Sequence, residues 1–282
     1  MRLNKFILLM HTHLSGRGVK QLLDSGCCRV NGRVETYGTY ELRHSDVVEV
    51  FLPETDREHL FDPKRVIFQD EWMLAYDKPA WLPVTRTDEV KSWSLTDILK
   101  QELPLAIPVH RLDADTSGLV LFAKSEKPAR KLEEAFAEHQ IAKTYHAIVR
   151  GHPRVTGIYK SYLIKVKAGK GFERWESGKG LDARAAETTW EVEERLGTYG
   201  SLVRVEPKSG RYHQIRIHFS EMGHPIYGDR MYGDRMDPVH SNRHLLHASE
   251  IRCDHPITKE ALVLKCRLPK EFQAVMEQLR RK

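Results

Sequence analysis

Cysteine is scarce in this chain of 282 residues: there are four, with Cys27 and Cys28 adjacent and Cys253 and Cys266 far away. That spacing supplies neither the paired framework of a small secreted domain nor a CxxC metal clasp, so reduced, packed thiols are expected. Long apolar runs are lacking too. Phe6 to Met10 is too short for the apolar core of a secretory signal, and no stretch approaches a membrane span, which points to a cytoplasmic protein. Histidine is plentiful, with 15 residues. Yet His11 with His13, His213 with His218 and His244 with His247 have no cysteines or carboxylates at a known ligand spacing, so no metal is expected. At 40% hydrophobic and 30% charged the chain is not short of core-forming residues, which excludes general disorder. The net charge of +6 suits an anionic partner such as a phosphate backbone, although it would equally serve solubility.

Residues 1–53 read as a small unit, with helices over Leu3–Met10 and around Val19–Leu23 and then an extended pair. Cys28, Arg29 and Val30 run into Asn31-Gly32, a dipeptide at ease with positive φ and suited to a tight turn, and Val47, Val48 and Val50 resume the extended pattern. The stretch LSGRGVKQLLDSGCCRVNGRVETYGTYELRHSDVVEVF resembles the S4 RNA-binding module. The resemblance puts Arg17 and Lys20 on its helical face, with Ser45-Asp46 in place of the family's usual GD. Residues 54–64, polar and charged, read as a linker.

From residue 65 to 282 a larger domain is expected. Met73 to Tyr76 form an apolar run that enters a loop at Lys78-Pro79. Ser125 to Gln140 carry Pro128 near a helix start and apolar residues at Ala129, Leu132 and Phe136. Ile141–Val149, Ser201–Val205 and Ala261–Leu268 read as strands, and Pro269–Leu279 as a closing helix. The tandem YGDRM at Tyr227–Met231 and Tyr232–Met236 is too short for a repeat fold. The fold class is α+β: a small N-terminal S4-like module plus a larger domain with a central, largely antiparallel mixed sheet flanked by helices.

The densest polar cluster is PVHRLDADTSGLVLFAKS, where His110, Arg111, Asp113, Asp115, Thr116 and Ser117 precede an apolar strand over Leu119–Ala123. In an arbitrary loop such residues more often make turns and satisfy backbone donors. Here HRLDADTSG followed by LVLFAKS resembles the signature of RluA-type pseudouridine synthases. IAKTYHAIVRG at Ile141–Gly151 resembles that family's tyrosine-bearing strand, and SGRYHQIRIHFSEMGHPIYGD at Ser209–Asp229 its arginine-bearing segment. NRHLLHASEIRCDHPIT follows in the expected order. The resemblance implies an isomerase that converts uridine to pseudouridine in RNA without a cofactor. It assigns the essential carboxylate to Asp113, the ion pair with it to Arg216, the active-site tyrosine to Tyr145, an apolar packing role to Ile215 and the space left by a flipped base to Arg111. Two departures stand out: Trp81 where the family commonly has glycine, and Tyr212 where it commonly has threonine.

The chemistry suits these residue types. The C1'–N1 bond must break, the freed base must turn while bound, and C1' must join C5, with no redox change. A carboxylate can attack carbon or stabilise a cationic sugar. A cationic partner keeps a buried carboxylate ionised. A tyrosine against the base can assist proton transfer from C5 or stack on the ring. Because the target must leave any helix, a planar guanidinium such as that of Arg111 is suited to the gap. Lys78, Arg150, Lys160, Lys165 and Lys167 are candidates for a phosphate path or solvated charges. From Ile215, apolar positions recur at Phe219 and Met222 with helical spacing, which turns Arg216 away from the core-facing stripe. Ribosomal RNA of the large subunit is the favoured partner, transfer RNA the second, and a monomer is expected. The rival reading is a non-catalytic RNA-binding or chaperone protein, which has no use for the Asp113, Tyr145 and Arg216 set. A glycosidase would need a second carboxylate, for which only Asp115 is near in sequence, and a metal-dependent nuclease would need clustered acids.

Overall fold

A computed structural model of the chain describes residues 1–11, 14, 16–24, 27–50, 61–86, 93–167, 173–233 and 237–282. It forms two compact units, Met1–His59 and Leu60–Lys282. Residues 54–60 of the expected linker, the side chain of Arg17 and the last three residues of the second YGDRM lie outside the described residues.

The first unit holds α1 (Leu3–Met10), α2 (Gly16–Asp24), β1 (Cys28–Val30), β2 (Arg33–Val34) and β3 (Val48–Val50). Asn31 and Gly32 take φ of 52° and 77°, both positive, and close the β1–β2 hairpin as the dipeptide suggested. Asn31 also ties the hairpin to β3. Its amide nitrogen donates to Asp46 at 2.9 Å and its Oδ1 accepts from the Val47 N–H at 2.9 Å. Leu3 and Ile7 of α1 pack with Val19, Leu22 and Leu23 of α2 over Cys28 and Val30.

The second unit contains β4 (Val66–Gln69), β5 (Met73–Lys78), α3 (Leu95–Glu102), β6 (Ile107–Pro108), β7 (Ser117–Ala123), α4 (Glu126–Ala137) and β8 (Ala142–Arg150). It continues with β9 (Thr156–Lys167), β10 (Glu173–Ser177), β11 (Arg184–Leu196), β12 (Gly200–Pro207), α5 (Gln214–Glu221), β13 (Leu246–Asp254), β14 (Ala261–Lys265) and α6 (Lys270–Arg280). Nine strands run in the order β10-β9-β11-β12-β8-β13-β7-β5-β4, with β14 beside β13 and β6 beside β7. The β7–β13 pair is parallel and the other pairs are antiparallel, so the sheet is mixed and largely antiparallel.

Helices cover both faces. Leu119 and Leu121 of β7 pack with Ala129 and Leu132 of α4, while Val120 and Phe122 pack with Leu95, Ile98 and Leu99 of α3. A strand buried on both faces reads as a continuous apolar run, as SGLVLFA does. A third core joins β8 and β12 to α5 and α6 through Ile148, Val203, Phe219 and Phe272. Gly118 has a φ of 111°, and a Cβ there would stand 2.2 Å from the Ala248 carbonyl oxygen, so only glycine allows β7 to approach β13. All four cysteines are buried and none is joined to another in a disulfide. Among the described residues no helix is long and apolar enough to cross a membrane.

Candidate active site

The site is built where the loop before β7 meets β8, β13 and α5. Every residue from Asp113 to Ser117 is clamped. The Thr116 N–H donates to the Asp113 carbonyl at 3.1 Å, and Lys78 Nζ donates to the Ala114 carbonyl at 2.8 Å. Arg243 Nη1 donates to the Asp115 carbonyl at 2.9 Å. Thr116 Oγ1 lies 2.7 Å from His244 Nε2, and Ser117 Oγ lies 2.9 Å from His247 Nδ1 and accepts from Arg243 Nη2 at 3.0 Å. Catalytic geometry needs this kind of support, because a loose loop loses the orientation that makes a side chain useful.

Lys78 departs from its expectation as a surface or phosphate-path charge. It is fully buried, and Nζ also donates to the carbonyls of Pro79 at 2.9 Å and Leu82 at 2.8 Å. Burial pushes its pKa down to about 7, against the pull of Asp115, Asp113 and Asp77. Three carbonyl acceptors make it a structural tripod between β5 and the Asp113 loop. Trp81, inside that tripod's turn, has a φ of 67°, a conformation natural for the glycine that the resemblance implied there.

Asp113 faces Arg216 of α5, whose Nη1 donates to Asp113 Oδ2 at 3.0 Å. The rest of the guanidinium is held by Asp229: Nε reaches Oδ2 at 2.7 Å and Nη2 reaches Oδ1 at 2.9 Å. Burial works against the Arg216 charge, but Asp229 and Asp113 outweigh it and raise its pKa, so it stays cationic. Burial likewise opposes the Asp229 carboxylate, and the bonds from Arg216 and the Tyr232 and Met231 N–H groups hold its pKa below the usual value. Arg216 is therefore not turned toward solvent opposite a core stripe. Gln214 to Phe219 are all buried, because the sheet lies on one side of α5 and the 228–233 loop closes over the other.

His213 caps α5 with a φ of 54° and places Nε2 3.5 Å from Asp113 Oδ2. Burial pushes its pKa down to about 4 against the opposing effect of Asp113, so the ring is neutral at pH 7. Its Nδ1 lies 3.1 Å from Tyr232 Oη, which accepts the Trp175 N–H at 3.3 Å. The tautomer with its hydrogen on Nε2 satisfies both contacts: Tyr232 donates to Nδ1 and Nε2–H faces Asp113.

Tyr145 lies on β8, opposite Val205 of β12 and Ala248 of β13. Burial, then the nearby Asp113, raises its pKa, so it is a neutral phenol throughout the physiological range. Asp113, Tyr145, Arg216, Arg111 and Ile215, from separate parts of the sequence, all line one open cleft together with His213, Lys143 and Arg211. Ile215 is buried at its floor, and Arg111 is exposed at its mouth. Asp115 is half-buried and its pKa is raised by burial, against the opposing charges of Arg216 and Lys78.

Residues 73–221 match the family of RNA pseudouridylate synthases. The chain belongs to this family. Over 74% of its length it is 36% identical to tRNA pseudouridine synthase C of Vibrio parahaemolyticus, covering 92% of that protein. Over 99% of its length it is 31% identical to ribosomal large subunit pseudouridine synthase C of Pasteurella multocida, covering 90% of that protein. The fold matches human RNA pseudouridylate synthase domain containing 4 with a TM-score of 0.63 at 24% identity, over 77% of this chain and 93% of that one. The protein is thus an RNA pseudouridine synthase, an isomerase acting on RNA. The sequence did not point out Asp229, His213, Tyr232 or Arg243. Asp229 and Tyr232 stood in plain view in the YGDRM tandem, whose composition alone gives no partner.

Proposed function

We propose that this pseudouridine synthase isomerises uridines of large-subunit ribosomal RNA with Asp113 as its essential carboxylate. The observation that carries the catalytic part is the Asp113–Arg216 contact of 3.0 Å in a cleft shared with Tyr145. Arg216 compensates the Asp113 charge as the carboxylate works at the ribose or the ring. Tyr145, kept protonated by burial, lies against the base as a stacking face and hydrogen-bond donor. Ile215 supplies an apolar floor. Arg111, exposed at the mouth and in no ion pair with another described residue, fills the gap that the extruded nucleotide leaves.

The choice of RNA rests on the N-terminal unit. The relatives named for large-subunit ribosomal RNA align over 99% of this chain and so include residues 1–59, whereas those named for tRNA align over 74–76% of it. The helix pair and hairpin of that unit fit an S4-type RNA-binding module occupying residues 1–53, joined through 54–64 to a catalytic domain over 65–282. Lys20 is exposed on its second helix. Such a module adds phosphate and shape contacts, while the catalytic cleft selects the uridine.

The test is tritium release from RNA labelled at C5 of uridine and prepared from cells lacking the protein, with ribosomal and transfer RNA assayed separately. Release from large-subunit ribosomal RNA alone is expected. Release from transfer RNA alone overturns the choice of substrate while leaving the chemistry intact.

A further inference from the structure

Beside the cleft lies a group of aromatic rings that the chemistry above does not use. Tyr212, 46% exposed, stacks on His213 with ring centroids 3.8 Å apart and planes 28° apart. The Trp175 ring stands 6.0 Å from Tyr212 at 41°. His213 in turn lies 3.5 Å from Asp113, so two short contacts lead from the carboxylate to the outer ring. The arrangement is braced. Tyr232 Oη accepts the Trp175 N–H and contacts His213, and Ser177, at the end of the same strand as Trp175, bonds to Glu221 of α5 through its N–H at 3.0 Å and its hydroxyl at 2.6 Å.

The charge on the cleft side of Tyr212 suits a nucleic-acid strand. Lys143 and Arg211 both line the cleft. Burial, then the neighbouring Arg211, lowers the Lys143 pKa. A phosphate between two such cations would relieve their repulsion.

An extruded uridine leaves the bases on either side with an open face. A protein ring within reach of one nucleotide is the natural replacement for the lost stacking partner. We propose that Tyr212, with Trp175 at its edge, is a stacking platform for the base next to the target uridine, with the adjoining phosphate seated at Lys143 and Arg211. This rests on the RNA-modification reading of the cleft. The platform is tolerant of base identity, because every base has a π-face, so it grips the strand and leaves the choice of sequence to other contacts. Only unpaired nucleotides can use it.

The test uses the full-length protein with C5-tritiated total RNA from cells lacking it. Tyr212→Ala is expected to raise KM roughly tenfold with a much smaller fall in kcat, and Tyr212→Phe, which keeps the ring, to restore the wild-type KM. A fall in kcat at unchanged KM would mean that Tyr212 only steadies His213, and that result overturns the proposal, as does no change in either constant. Ultraviolet crosslinking of wild type to the same RNA, followed by peptide mapping, gives an answer independent of turnover. A nucleotide adduct on Tyr212 or Trp175 supports the platform, and crosslinks elsewhere but on neither residue overturn it. If wild type releases no tritium, the reading of the cleft has failed, and the crosslink map still decides whether the platform binds RNA.

Discussion

Arg216 reaches Asp113 with a single nitrogen while Asp229 holds its other two at 2.7 and 2.9 Å. The bidentate bond fixes the plane of the guanidinium, and the free corner is thereby aimed at the cleft. Asp229 is a positioning residue with no face toward a substrate.

Replacing Asp229 leaves a buried cation with one partner in place of two. Asp229→Ala should destabilise the protein by about 3 kcal/mol, the scale for breaking a buried ion pair from one side. Asp229→Asn should cost less, and both should lower kcat more than they alter KM. Urea unfolding and tritium-release kinetics check the two effects separately.

Lys78→Met keeps the length of the side chain and removes the donors to three carbonyls. Leaving those acceptors unsatisfied should cost about 3 kcal/mol, and the freed Ala114 carbonyl should lower kcat by loosening Asp113. Unchanged stability in urea would show that the tripod is not holding the loop.

At Trp81 the backbone sits at a φ of 67°, where any side chain is strained and glycine is not. Both Trp81→Ala and Trp81→Gly lose the ring, but only glycine relieves the strain. The glycine variant should therefore be the more stable by about 1 kcal/mol, the reverse of the usual order of these two residues. Thermal melting of the pair checks this.

Several buried histidines set the acid limit. Burial pushes His213 and His218 to about 4 and His110 and His247 to about 3 in the fold, from about 6.5 in an unfolded chain. Below pH 6.5 the unfolded state binds protons that the folded state does not, so stability rises with pH across the window from 4 to 6.5 and is lost on acidification. Each such histidine contributes on the order of 1 kcal/mol per pH unit in that window. Urea midpoints at pH 7.5, 6.0 and 5.0 should fall in that order, and a midpoint independent of pH would mean that these rings are not held neutral.

That Asp113, Tyr145, Arg216, Arg111 and Ile215 would meet in one cleft was legible because each sits in a segment whose residue order carries the family resemblance, and the strands and helices around them have clear periods. The burial of Arg216 on both sides has no counterpart in its helical spacing, for a physical reason. Helical spacing separates an apolar stripe from the remainder, but it says nothing of a loop that covers the remainder, and Asp229 lies thirteen residues on in that loop. The same holds for Lys78: a lysine before proline at the end of a strand looks like a surface charge until the carbonyls of residues 79, 82 and 114 are brought around it. Long-range hydrogen bonds to backbone leave no pattern in a single sequence.

If the Asp113 carboxylate is essential to the isomerisation, removing its charge alone abolishes turnover. The most direct test is tritium release from C5-labelled RNA by wild type and by Asp113→Asn, an isosteric change that removes only the charge. Release by wild type and none by the variant is expected, with RNA binding and thermal stability retained. Release by Asp113→Asn at a rate near that of wild type would contradict an essential role for the carboxylate.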